Sequence, residues 1–219
     1  LERNPETLVR VIVVDNDESG SGQPVCAAFP GVFYMREPRR GIPQARNAGL
    51  ALARDWGATH AAFVDDDEEP APDWLDRLLS AAREWRADAV QGRVVPTFER
   101  EPPDWILRES LFERVRGETG DLLPFAATNA TLARMELFER LGGFDESWAL
   151  SGGTDTLLFS RAARAGFRIV WCDEAVVRES VGPERANLSW LCRRALRIGM
   201  TRSRARVSLS PGARTRRRE

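Results

Sequence analysis

Short apolar runs that stop at clusters of acids, separated by stretches of helical spacing, restrict most strongly how this chain can fold. Leu8–Val14 (LVRVIVV) runs into Asp15-Asn16-Asp17, and Ala61–Val64 runs into Asp65-Asp66-Asp67-Glu68. Between them Val32–Met35 reads as a strand and Pro43–Trp56 as a helix, Pro43 being suited to a first turn. Pro72–Ala87 is an amphipathic helix with Asp73 near its start and Trp74, Leu75, Leu78, Leu79 and Trp85 on its apolar side. Asp88–Val95 is the next strand. Strands that are apolar throughout need cover on both faces. Their alternation with helices predicts an α/β fold with a mostly parallel, Rossmann-like central sheet flanked by helices.

The second half is less regular. Glu99–Gly120 carries Pro102-Pro103 and Trp105 and reads as irregular, and Leu122–Leu132 reads as extended. Glu136–Leu141 is a short helix ending at Gly142-Gly143, and Asp155–Ala165 a helix closed by Gly166. Phe167–Cys172 is a strand and Ser189–Arg204 a final helix.

Charge is unevenly placed. The net charge is -1, yet Arg193 to Glu219 holds ten arginines against one acid. Such a segment suits anionic headgroups, phosphate or nucleic acid, while for its last stretch, Ser208 to Glu219, a solvated tail is the preferred reading. All 32 basic residues are arginine, which excludes lysine-dependent chemistry such as a P-loop or a Schiff base. Cys26, Cys172 and Cys192 form no metal or disulfide pattern and read as reduced thiols. No run approaches the ~20 apolar residues of a membrane-spanning helix, and no leader sequence opens the chain. A cytoplasmic protein is expected, at the inner face of a membrane if the basic segment meets lipid.

Both acid clusters sit where ligands bind in open α/β sheets, beyond the carboxyl ends of strands. Adjacent carboxylates repel, and a divalent cation would relieve that cost. Oxygen-only ligation suits Mg2+ or Mn2+, especially when a diphosphate supplies further ligands. Acids at strand ends also serve as ordinary caps and solvated loop residues, and each cluster admits that plainer reading.

With FVDDDE as its most telling stretch, the chain resembles over nearly its whole length the family 2 inverting glycosyltransferases, most closely their bacterial exopolysaccharide (succinoglycan-type) branch. The segments that carry the resemblance are, in order, VIVVDND, GIPQARNAGLALA, AAFVDDDEEPAPDWLDRLL, ADAVQGRV, TNATLARMELFERLGGFDE, SGGTDTLLFSRAARAG and ANLSWLCRRALRIG. The resemblance implies a fold of the GT-A type. It implies a single glycosyltransferase domain over 1–206, with a nucleotide-binding half (1–97) and an acceptor-binding half (98–206), and a flexible basic tail over 207–219. Relative to the family the chain starts just before the second strand, so a first strand is expected to be missing.

Residue by residue, the resemblance makes Asp15 the acceptor of a nucleobase hydrogen bond and Arg46 a nucleotide contact. Asp65 and Asp67 match the outer acids of a D-x-D motif around Asp66, with Asp67 on the metal and Asp65 near the ribose. Asp155 matches the general base of an inverting transfer, although an Asp before an apolar helix is also a good N-cap. Trp148, Gly153 and Thr154 fall on the acceptor side, where Thr154 replaces a usual Glu. Arg178 stands where many relatives have a metal-ligating His; a guanidinium cannot ligate a cation and would instead bind the diphosphate. The implied partners are a UDP-sugar and a glycan or lipid-linked acceptor, not nucleic acid, with Mn2+ or Mg2+ as cofactor. Two alternatives stay open: a catalytically degenerate nucleotide-sugar-binding module, and a nucleotidyltransferase, which shares the layered fold.

Overall fold

The computed structural model describes residues 8–109, 111–113, 117–149 and 152–210. In chain order its elements begin with β1 (Val11–Asp15), α1 (Gln23–Cys26), β2 (Val32–Arg36), α2 (Ile42–Asp55), β3 (His60–Phe63) and β4 (Glu68–Pro70). Then come α3 (Trp74–Glu84), β5 (Ala89–Phe98), α4 (Asp104–Arg108), β6 (Thr131–Arg134) and α5 (Met135–Leu141). A 3-10 turn at Glu146–Trp148 precedes α6 (Thr154–Arg164), β7 (Ile169–Val181) and α7 (Leu188–Ser208). The chain packs as two compact units, Leu1–Ala61 with Arg134–Thr154, and Ala62–Ala133 with Asp155–Glu219. Arg134–Thr154, from the later part of the chain, belongs to the first unit.

In the first unit β1 and β2 pair in parallel over five residues, from Val11↔Val32 to Asp15↔Arg36. Helix α2 covers β1 so closely that a Cβ on Gly49 would lie 3.2 Å from Val14. The amide of Asn47 on α2 donates to the Phe144 carbonyl at 2.9 Å and accepts from the Phe144 N–H at 2.9 Å. Gly143, at φ 72°, makes this possible, since a Cβ there would lie 2.7 Å from the Asn47 oxygen. The GGFDE turn is thereby tied to the helix of the RNAG segment.

The second unit carries most of a five-stranded sheet ordered β3-β6-β5-β7-β4. The long ladder, β5 with β7, is parallel over ten pairs, whereas β5-β6 and β4-β7 are antiparallel over three pairs each. Parallel pairing therefore carries the buried centre and antiparallel pairing the short flanks. Between Gly92 and Arg93 the register jumps, leaving Asp173 to Ala175 unpaired on β7. Residue 92 has to be glycine there, because a Cβ would sit 2.4 Å from the Ala175 carbonyl oxygen.

Helix α3 buries Trp74, Leu78 and Ala81 against Val90, Val94, Val170 and Val177. Their spacing of three and four residues gives one face of a helix, which is why the sequence pattern could be read there. Leu78 is completely buried; full burial of such a side chain contributes roughly 2 kcal/mol. Three local expectations are corrected. The irregular stretch holds the helix α4, with Ile106 buried beside Phe112 and Val181. Leu122–Leu132 forms a strand only from Thr131, with one isolated bridge from Leu122 to Val170. Strand β7 continues nine residues past Cys172, because the unpaired Asp173–Ala175 segment lets pairing resume. Of the expected tail 207–219, residues 211–219 lie outside the described residues, while 207–208 belong to α7.

Candidate functional site

At the end of β1 the three polar residues divide their work. The Asp15 carboxylate accepts from the Asp17 N–H at 2.8 Å, the Gly22 N–H at 2.8 Å and the Tyr34 hydroxyl at 3.1 Å. These donors hold its pKa below the ordinary aspartate range, the Asp17 and Gly22 N–H groups contributing most. A Cβ on Gly22 would lie 3.0 Å from Asp15 Oδ2, a tight fit that glycine avoids. A carboxylate offers about four acceptor directions, so one remains for a ligand N–H. Asn16 instead ties the backbone, donating to the carbonyls of Glu37 and Arg39 and accepting from the Gly41 N–H. Arg46, on α2, lies with its guanidinium 5.6 Å from the Phe144 ring centroid. Trp148, which the resemblance puts on the acceptor side, is 1% exposed and packs as core. Thr154 is buried as well, so its hydroxyl is not a surface contact, and Gly153 precedes it with φ 78°.

In the second unit the acid run forms a tight turn between β3 and β4. The Glu68 carboxylate accepts from the Asp65 N–H at 3.0 Å, and the Glu68 N–H donates to the Asp65 carbonyl at 3.1 Å. The Ser180 N–H donates to the Asp67 carbonyl at 2.9 Å, which ties the turn to β7. Asp65 and Asp67 are half-buried and Asp66 is exposed. Sequence reasoning missed the partner of Asp67. Arg185, just after β7, places Nη1 3.0 Å from Asp67 Oδ2 and 3.5 Å from a Glu179 oxygen. No local periodicity marks an arginine in a Gly-Pro-Glu-Arg turn, and its partner lies 118 residues away.

Arg185 also lines a cavity of about 420 Å3 with Glu179, Trp190, Arg193, Arg194 and Arg197. Four guanidinium groups against one carboxylate make it a place for an anion. Arg178, expected on the diphosphate, is exposed and stands opposite Glu69 in the β4-β7 ladder; it does not line this cavity. Arg194 rests over the rings of Phe112 and Trp190 at 5.5 and 5.3 Å.

Among the described residues no three His, Cys, Asp or Glu side chains gather to hold a metal by themselves. Asp67 still fits a cation that takes its remaining oxygens from a bound phosphate, as Mg2+ does when one or two carboxylates suffice. Arg185 would have to leave Oδ2 for this. Asp155 is the second residue of α6 rather than its cap. Its Oδ1 accepts from the Thr156 N–H at 2.6 Å and the Thr156 hydroxyl at 3.4 Å, which fixes one carboxylate oxygen. Near β6, Ala130 adopts φ 56° and the buried Asn129 side-chain nitrogen has no hydrogen-bond partner. Strained backbone beside an unsatisfied amide is a further feature that the sequence did not disclose.

Comparison with known proteins agrees with these observations. The chain is 32% identical over 212 residues to the succinoglycan biosynthesis protein ExoM of Rhizobium meliloti (strain 1021), covering 94% of this chain and 68% of that protein. It is 30% identical over 202 residues to the pre-mycofactocin glycosyltransferase of Mycobacterium tuberculosis (strain CDC 1551 / Oshkosh), covering 85% and 40% of the two chains. Among solved structures it is similar to the mannosyltransferase PcManGT from Pyrobaculum calidifontis in complex with GDP-Man and Mn2+, with a TM-score of 0.62, 26% identity, and 90% and 54% of the two chains covered. It also shares the fold of S. aureus TarS 1-349 in complex with UDP, with a TM-score of 0.58, 17% identity, and 83% and 54% covered. The chain thus spans about half the length of these two solved structures. The fold is an α/β fold of the GT-A type. Since residues 1–142 also match the model described as Glycosyl transferase family 2, the chain, with its acid-ended strands and its arginine-lined cavity, is a glycosyltransferase belonging to that family.

Proposed function

We propose that this chain transfers a sugar from a nucleoside-diphosphate donor, with UDP as the nucleotide, to a glycan or lipid-linked acceptor in surface polysaccharide synthesis, with inversion at the anomeric carbon. The observation that carries this reading is the pairing of Asp67 with Arg185 at an arginine-lined cavity. One acid able to meet a cation and several guanidiniums able to meet phosphate suit a diphosphate leaving group. Similarity to a protein of succinoglycan biosynthesis supports the polymer class. Similarity to structures holding UDP, or GDP-Man with Mn2+, supports the donor class and a divalent metal.

In this reading Asp15 uses its remaining acceptor direction for a base N–H, and Arg46 reaches the nucleotide. Arg185, Arg193 and Arg197 neutralise the departing diphosphate, and Arg178 adds an outer positive charge. Asp65 and Asp66 stand toward the ribose and the phosphates. Asp67 holds the metal, Mn2+ or Mg2+, which supplies Lewis-acid stabilisation of the diphosphate when bound. Asp155, with Oδ1 fixed by Thr156, accepts the acceptor hydroxyl's proton on its other oxygen. The hydroxyl oxygen bonds to the anomeric carbon as the bond to the diphosphate breaks. Gly152 and Gly153, both at positive φ, shape the backbone leading to this residue.

The test is release of UDP from a panel of UDP-sugars with Mn2+, comparing wild type with Asp155→Asn. Loss of a general base costs about 10²–10⁴ in rate, while UDP binding should persist. Release unchanged by the substitution would remove Asp155 from the mechanism. UDP binding with no turnover of any donor, with acceptor supplied, would favour the binding-module alternative.

A further inference from the structure

The last helix presents an apolar stripe that nothing among the described residues covers. On α7, Leu188, Leu196, Met200 and Val207 are 64%, 69%, 73% and 66% exposed, and Cys192 is exposed between the first two. Leu188, Cys192, Leu196 and Met200 are four residues apart, and Val207 follows Met200 by seven, so all five share one face. The opposite face turns inward: Ala205 is buried, Trp190 and Leu191 pack beside Ile106, Phe112 and Val181, and Arg202 lies over Phe125. The stripe is therefore additional to the face that anchors the helix.

Its flanks are basic. Helix α7 carries six arginines and no acid in 21 residues. At 3.6 residues per turn, Arg193, Arg197 and Arg204 border the stripe on one side and Arg202 and Arg206 on the other. An apolar strip between two rows of guanidiniums matches a layer of anionic headgroups over acyl chains. A second copy of this chain fits poorly, because two such helices would bring twelve guanidiniums together with no carboxylate on either helix to offset them. The residues after Ser210, PGARTRRRE, carry four more arginines.

We propose that α7 is a membrane-surface helix, which lies in the headgroup region of an anionic bilayer with Leu188, Cys192, Leu196, Met200 and Val207 inserted and Arg202, Arg204 and Arg206, the arginines outside the cavity, at phosphate level. No helix among the described residues is long and apolar enough to cross a membrane, so this contact is interfacial. It orients the chain on a surface where a lipid-linked acceptor would be concentrated, but it does not depend on nucleotide binding.

The experiment uses the whole chain with vesicles of phosphatidylcholine alone or mixed with phosphatidylglycerol. An environment-sensitive fluorophore is placed on Cys192 in a Cys26→Ser background, Cys172 being buried. Cosedimentation with the anionic vesicles and a blue shift of the dye are expected, with binding at least tenfold weaker to neutral vesicles. Leu196→Asp with Met200→Asp should weaken anionic binding about tenfold or more, and Arg202→Gln with Arg206→Gln severalfold, as expected for combined apolar and electrostatic attachment. Circular dichroism of each variant checks that the helix persists. Three results would overturn the proposal: no binding to anionic vesicles, binding that ignores the aspartates, or a dimer in solution that the aspartates dissociate. None of them bears on UDP release, so this inference and the proposed transfer fail separately.

Discussion

Asp15 and Asp67 sit at comparable places, one ending β1 and the other in the polar run after β3, and they are held in opposite ways. Asp15 is fixed from nearby, by two backbone N–H groups and a tyrosine hydroxyl of its own unit. Backbone donors cannot rotate away, so that carboxylate is stationary and nearly saturated. Asp67 is held by one guanidinium from a turn far along the chain, itself shared with Glu179. Both groups are about one-third exposed, and an ion pair of that kind contributes little net stability. The contrast separates a preformed acceptor from an exchangeable one. A base-reading group gains from being preformed, whereas a group that must meet a cation during turnover gains from a partner that can leave.

Breaking the exchangeable side should have the larger effect. Asp67→Asn removes the charge that a cation needs, and loss of transition-state charge stabilisation of this sort costs about 10²–10³ in rate. Initial rates of UDP release at saturating Mn2+ measure it; a fall of less than tenfold would take Asp67 out of the metal site. Arg185→Gln sharpens the comparison, because it has two opposed consequences. The Mn2+ concentration for half-maximal rate should drop as Asp67 loses its competitor. Affinity for UDP should weaken about tenfold, the scale of one charge-assisted hydrogen bond. If both constants stay at wild-type values, the ion pair is only a surface contact.

On the stationary side the expected effect is on stability more than on rate. The folded-state pKa of Asp15 is lowered, chiefly by the Asp17 and Gly22 N–H groups. Its contribution is complete above the ordinary aspartate range and is lost as pH falls through the lower folded-state value. Asp15→Asn should therefore flatten that part of the acid-unfolding profile, read by urea midpoints at stepped pH, and an unchanged profile would show that the loop holds without the charge. In the core, Leu78→Ala should lower stability by about 3 kcal/mol, since this residue of α3 is fully buried.

These pairs also show how far sequence could reach. The strands and helices on the first side of the chain were legible because their apolar spacing is local: α3 buries the Trp74, Leu78 and Ala81 face its periodicity announces. The acids at the strand ends were legible because position in an α/β fold predicts where ligands sit. The Arg185 partner was not, since an ion pair across 118 residues leaves no local trace. Trp148 shows a related limit: an aromatic residue looks the same in sequence whether it faces a sugar or the core, and packing places it in the core. The extension of β7 was hidden by Asp173 and Glu174, two acids inside a strand, which are admitted where three residues leave the ladder.

The smallest expected effect belongs to His60, the only histidine, and it tests whether the acid response of the chain is set by carboxylates alone. His60 opens β3, and Thr59 Oγ1 lies 2.9 Å from its Nδ1. Burial lowers its pKa and the nearby Arg134 charge lowers it further. A histidine whose folded-state pKa is depressed binds fewer protons folded than unfolded between the two values, so stability rises with pH across that interval. Its contribution is complete above the ordinary histidine value of about 6.5, declines as pH falls below it, and stops changing once the folded-state value is passed. This window lies above the one in which Asp15 acts. His60→Gln should remove a shallow slope in stability just below neutral pH while leaving the steeper loss in acid untouched. A profile in which both slopes vanish together would mean that the histidine and the Asp15 loop respond as one unit, and the contrast drawn from Asp15 would then extend beyond its own hydrogen bonds.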